Sequence, residues 1–288
     1  MKKYITLLSI IISFTACEKV EKPYLTDLDA YVNPDKKVLI EKFTGHRCSY
    51  CPDAARELES IRDIYEDQII GMAIHIGDYF AGPYPLGNDF DYDFRTKWGD
   101  ELDESYNISA IGLPKGMVNR SGISDENHIL GKDEWASIVA TELQKEIDFL
   151  ITINADTNEI NISILLENNI INNHNLFVCL TENNIINWQQ DGSENIQDYE
   201  HNHVLRTVIY NGGFSNAENL LRDEVISTSF NINLSDLEQF NINYSENEAS
   251  NGNGNAGGWN PSNMSVIAYI YNTNTKEVLQ AEEAYLNN

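Results

Sequence analysis

The chain has 288 residues, and its 45 Asp and Glu against 19 Lys and Arg give a formal net charge of −26. That balance argues against a nucleic-acid partner and against electrostatic docking on anionic lipid, and it suits a soluble body held away from a negative surface. The length leaves room for two modest domains.

The chain opens with "MKK", a short positive stretch. "YITLLSIIISFT" follows, apolar but too short to cross a bilayer as a mature helix, and "TAC" closes it with small residues before Cys17. This is the pattern of a secretory signal peptide over residues 1–16. The cysteine sits where a bacterial lipoprotein is acylated, so Cys17 is the expected lipidation site and first mature residue. The bland alternative is an ordinary signal peptide that happens to contain a cysteine. Acyl chains contribute about 0.8 kcal/mol per buried methylene, so several together anchor stably. No other segment reads as long enough to span a membrane. Residues 17–34, charged and proline-bearing, read as a tether.

From residue 35 to 146, strand and helix patterns alternate, as in an α/β domain. "KVLIEKF" (37–43) and "IIGMAIHI" (69–76) are apolar runs of strands buried on both faces. Residues 53–66 are helical, with Ala54, Leu58, Ile61 and Tyr65 on one face. Residues 77–90 read as a loop and 91–106 as a helix. "KGMVNR" (115–120) is a third strand, a faint fourth lies within 122–131, and 132–146 is an amphipathic helix. After residue 147 the period becomes two. A hairpin is expected over 149–166, with further strands at 175–180, 203–210, 225–234, 265–272 and 277–286. Residues 250–260 form a loop, and no convincing helix is seen. Residues 147–288 therefore read as an immunoglobulin-like β-sandwich.

The chemistry-bearing stretch is "TGHRCSYCPDAA", residues 44–55. Cys48 falls just past a buried strand and Cys51 near the first turn of a helix. Unpaired N–H groups and the helix dipole favour thiolate there. His46 and Arg47 add positive potential, and Pro52 is tolerated in a first turn. Cys48 is expected on the exposed approach and Cys51 shielded. In the thioredoxin fold a cis proline precedes the third core strand and lies beside the dithiol. Pro114, in "IGLPKGMVNR", occupies that place in the order of elements. Glu41 sits near where thioredoxin keeps a buried acid. Cys179, alternating with Leu176, Val178 and Leu180, reads as a buried thiol. Asp89, Asp91 and Asp93 are spaced like a calcium loop but lack its Gly and Glu, so a solvated helix start is the better reading. His201 and His203 could join His46, Cys48 and Cys51 around zinc or copper, against a plain role as hydrogen-bonded residues at a domain junction.

"VLIEKFTGHRCSYCPDAA", "IGLPKGMVNR", "HNHVLR" (201–206) and "SVIAYIYNTNTKEVLQA" together resemble the outer membrane protein 28 related lipoprotein family. The resemblance implies a thioredoxin-like domain paired with a β-sandwich, and an outer-membrane location. The leading expectation is thiol–disulfide exchange on exported or surface proteins, with Cys48 attacking, Cys51 resolving and Pro114 lining the groove. It calls for no cofactor, metal or nucleic acid, and for membrane attachment only through lipid on Cys17. The competing expectation is a non-catalytic surface-binding module with a structural disulfide.

Overall fold

The computed structural model describes residues 32–286. The expected signal peptide, Cys17 and most of the tether lie outside them. The tether's described end is docked: Asn33 is buried, its N–H donates to Leu143 O (2.8 Å) and its side chain to Lys145 O (3.1 Å).

In chain order the first half contains β1 (Val38–Thr44), α1 (Cys51–Tyr65), β2 (Ile69–His75), α2 (Asp78–Ala81), α3 (Lys97–Tyr106), α4 (Ile108–Ile111), β3 (Lys115–Val118) and α5 (Lys132–Glu142). The second half contains β4 (Phe149–Ala155), β5 (Glu159–Leu166), β6 (Ile170–Ile171), β7 (His174–Glu182), β8 (Ile185–Asp191), β9 (Glu194–His201), β10 (Val204–Gly213), β11 (Asn219–Leu220), β12 (Val225–Asn231), α6 (Leu234–Asn247), β13 (Met264–Asn272) and β14 (Val278–Tyr285). The helix expected over 91–106 begins only at Lys97, because Thr96 caps it by accepting the Gly99 N–H at 3.0 Å. The faint fourth strand is a single bridge, Gly116 to Leu130. The second half does contain a helix, α6, started by Asn233 accepting the N–H groups of Ser235 and Asp236.

One sheet runs in the order β14-β13-β7-β10-β2-β1-β3. β1 and β2 are parallel, and β3 returns antiparallel to β1. β10 joins β2 in parallel at Val204 and Ala73, so the sheet crosses the boundary expected near residue 147. Its pairing covers an edge of β2 that would otherwise present open backbone groups. The described residues fall within one compact unit. The fold is mixed α/β with strands dominant. The strands after residue 147 do not form a self-contained sandwich: β4, β5 and β12 make a second layer over β7 and β13, but the longer sheet continues into β2, β1 and β3.

Alternation along β1 decides what lies on each side. Val38 and Ile40 point toward α1 and α5, into a core with Leu58, Ile61, Val118 and Trp135. Leu39 and Phe43 point the other way, into a core shared with Met72, Phe177, Cys179 and Tyr269 from both halves of the chain. Glu41 shares that second face. It is 1% exposed and takes a bidentate pair from Arg120, at 2.7 and 2.6 Å, while Arg120 also donates to Tyr269 Oη at 2.9 Å. Removing one member leaves the other charge buried and unpaired, a loss of roughly 3–5 kcal/mol. Arg120→Ala should therefore lower the denaturant midpoint sharply. The Arg120→Met, Glu41→Gln double variant should recover most of the loss, read by urea unfolding.

Candidate functional site

The site begins where β1 ends. Cys48 and Cys51 form a disulfide with a Cα–Cα distance of 5.4 Å. Cys51 is the first residue of α1, Pro52 lies in its first turn, and the Cys51 N–H donates to Cys48 O at 3.2 Å. The Leu113–Pro114 bond is cis, and Pro114 is half-buried. Lys115, the next residue, pairs with Phe43, which sets Pro114 beside the end of β1 at the edge from which the Cys48 loop departs.

Cys48 is not on an exposed approach. It is 3% exposed and Cys51 2%, although Tyr50 between them is 67% exposed. Two segments bury them. The 77–82 turn closes from one side: Arg47 donates its N–H to Phe80 O (2.9 Å) and its guanidinium to Gly82 O (2.6 Å). Gly45 permits this approach, since a Cβ there would lie 2.3 Å from Phe80 O. The β8–β9 hairpin closes from the other side. Gln190 N–H donates to His46 O and Gly192 N–H to Ser49 O, both at 2.8 Å. The Gln189 amide donates to Cys48 O at 3.2 Å, and Arg56 at the head of α1 pairs with Asp191 at 2.9 Å. Sequence reasoning missed this hairpin because its strands are polar and mostly half-exposed. The signal that could have found it is Gly192-Ser193, a dipeptide suited to a two-residue hairpin loop between the paired Asp191 and Glu194, with Gly192 at a φ of 59°.

Behind the disulfide lies a cavity of about 260 Å³, between α1, the ends of β1 and β2, and the hairpin. Cys51, Lys42, His75, Glu59 and His201 line it. Lys42 belongs to the α1-facing set of β1, so the buried charge near the dithiol is Lys42, and Glu41 faces away to Arg120. Lys42 is 6% exposed, and burial lowers its pKa to about 8. Neither ring nitrogen of His75 has a hydrogen-bond partner.

Three buried histidines surround Phe94. The ring centroids of His46, His75 and His201 lie 5.5, 4.6 and 4.5 Å from it. His201 Nε2 faces Trp188 O at 3.3 Å, so that nitrogen carries the proton. His203 goes elsewhere, between Arg62 and Glu59. Asp93 holds Arg95 at 2.9 Å, whereas Asp91 accepts from Gly87 and Asn255, so the aspartates do not converge. Among the described residues no group of three or more His, Cys, Asp or Glu is placed to hold a metal ion. Cys179 is a buried free thiol, its pKa pushed far up by burial.

Burial holds His46 and His75 well below the usual histidine pKa, with neighbouring imidazoles adding to the effect, and lowers His201 to about 3. The unfolded chain takes up these protons near pH 6.5 and the native protein does not. Their stability contribution is thus whole above about pH 6.5 and falls as pH drops toward the native values, by about 1.4 kcal/mol per pH unit for each group. The urea midpoint should fall between about pH 7 and about pH 5, and His75→Phe should flatten that dependence. An unchanged midpoint across that interval would contradict the assignment.

The family model of the outer membrane protein Omp28 matches residues 100–288, more than half of the chain. Among solved structures, HBP35 of Porphyromonas gingivalis is similar, with a TM-score of 0.55 at 15% identity over 88% of this chain and 76% of that one. A crystal structure of an Agrobacterium tumefaciens protein gives 0.50 at 13% identity over 88% and 95%. A domain of the outer membrane lipoprotein Omp28 from Porphyromonas gingivalis is 17% identical over 50% of this chain and 91% of that one, with a TM-score of 0.26. Comparison with curated proteins finds no match. At these identities the solved structures speak to fold alone. Among the described residues no helix is long and apolar enough to cross a membrane. It is the family match that places the protein at the outer membrane: the chain belongs to the Omp28 outer membrane protein family.

Proposed function

We propose that this protein is a lipid-anchored thiol–disulfide exchanger of the outer membrane, built on a thioredoxin-like half. The order of elements supports the reading. A parallel β1-α1-β2 unit carries the C-x-x-C pair, and a proline opens an antiparallel β3. Beyond β2, β10 supplies the neighbouring strand.

The observation that carries the proposal is the disulfide itself, closed between residues only three apart at the head of a fifteen-residue helix. Constraint of the unfolded chain grows with the logarithm of loop length, so this ring is a poor staple. The helix N-terminus is, in contrast, a good place to stabilise a thiolate. Cys48 is the sulfur a client attacks or that attacks a client, and Cys51 resolves the mixed disulfide. The hairpin is the cover that must open first.

The burial of both cysteines favours a second reading, a non-catalytic surface module whose disulfide is locked. The two separate cleanly. Cys51→Ser should accumulate reductant-sensitive adducts with envelope proteins, and Cys48→Ser should not. Gln189→Ala, which removes the side-chain tie to Cys48 O, should speed reduction by a mild thiol several-fold. If the wild type and Gln189→Ala both resist reduction and no adduct forms, the locked module is correct.

Lipidation is tested separately. Cys17→Ser should move the protein from the membrane to the soluble fraction, and continued membrane association would remove the anchor from the proposal.

A further inference from the structure

Lys42 differs from the other buried cations among the described residues: Lys36 donates its ammonium to Leu279 O, and the buried arginines bond carboxylates. Arg120, Arg95 and Arg206 each hold a carboxylate, Glu41, Asp93 and Glu182 respectively. Lys42 is also buried, yet the acid that acts on it through space, Glu59, has its Oε1 3.2 Å from His203 Nε2. A desolvated ammonium without a bonded anion is costly, and native proteins rarely keep one idle. The cavity that receives its side chain also receives Cys51. Its buried titratable neighbours are His75, held neutral by burial, and His201, whereas Arg56, Glu59, Asp63 and Glu200 line it from exposed positions. Lys42 is thus the one buried charge of the chamber that Cys51 lines, and the chamber's carboxylates are all exposed.

We propose that Lys42 is a positioning residue that stabilises the Cys51 thiolate released when the disulfide opens, and that it thereby makes the pair oxidising toward exported dithiol clients. The proposal rests on the thiol–disulfide reading above and gives it a direction. A client thiolate attacks Cys48 Sγ. The Cys48–Cys51 bond breaks, a client–Cys48 disulfide forms, and Cys51 departs as a thiolate facing the Lys42 ammonium. The client's second thiol, losing its proton, then attacks its own sulfur in the mixed disulfide, and Cys48 leaves and takes up a proton. The client has lost two electrons and two protons and has become a disulfide. The protein has gained both electrons and one proton, and the other proton goes to water. Reduction itself supplies a buried anion to the chamber, so the Lys42 charge favours the reduced state.

The test is the redox equilibrium of the full chain in glutathione buffers, read as the fraction of Cys48–Cys51 disulfide after acid trapping and alkylation. This readout needs no client. Lys42→Met is close in length and removes a desolvated charge, so the oxidised protein should fold at least as well as the wild type. Its equilibrium should shift toward the disulfide by about tenfold or more, a change of about 30 mV toward more reducing potentials. Lys42→Arg keeps the charge and should stay near the wild-type value. Should Lys42→Met be poorly folded, Lys42→Gln is measured in its place. An equilibrium that is unchanged, or that shifts toward the dithiol, overturns the role of Lys42. Failure of Cys51→Ser to trap clients would instead count against exchange in the envelope and would leave the Lys42 shift as a separate result.

Discussion

Strand β1 is buried along its whole length between two cores, and the rest of the molecule depends on that burial. A strand covered on both faces has no solvent side for a charge, so Glu41 and Lys42 meet opposite environments. Glu41 faces the core shared by both halves and is neutralised by Arg120, which links β1 to Tyr269 on β13. Lys42 faces α1 and stands in the chamber behind Cys51. Neighbours in sequence thus perform unrelated tasks because the pleat separates them. The same strand delivers the Cys48 loop to the head of α1 and, through its pairing with β3, brings Pro114 to the same edge.

The site is closed by parts distant in sequence. The β8–β9 hairpin bonds to the main chain of His46, Cys48 and Ser49, and the 77–82 turn bonds to Arg47. Main-chain hydrogen bonds of this kind resemble the way an extended client would lie against such a loop. The hairpin therefore covers the disulfide. Many of its own side chains are half-exposed or exposed, which keeps displacement less costly than opening the core beneath.

The two halves are bound to one another by more than a linker. β10 extends the sheet from β2, and Phe177, Cys179 and Tyr269 share a core with Leu39, Phe43 and Met72. The disulfide and the β-rich layer thus belong to one folded body.

The sequence alone determined the local pieces whose signals are local. Apolar runs placed β1 and β2, helical spacing of Ala54, Leu58 and Ile61 placed α1, and alternating Ile151, Ile153, Ile160, Ile162 and Ile164 placed the β4–β5 hairpin. The C-x-x-C pair and Pro114 were legible as a constellation because their order along the chain carries the information. Strands with polar faces carry no such pattern, so β8 and β9 were invisible, and α6 was hidden by the period-two run "FNINL" that precedes it. Only the tertiary structure decided that the sheet runs through both halves, that Cys48 is covered, and that Lys42 takes the chamber while Glu41 turns to Arg120. Each of these is a relation between residues far apart in the chain, fixed by strand pairing and by which side of a pleat faces which neighbour.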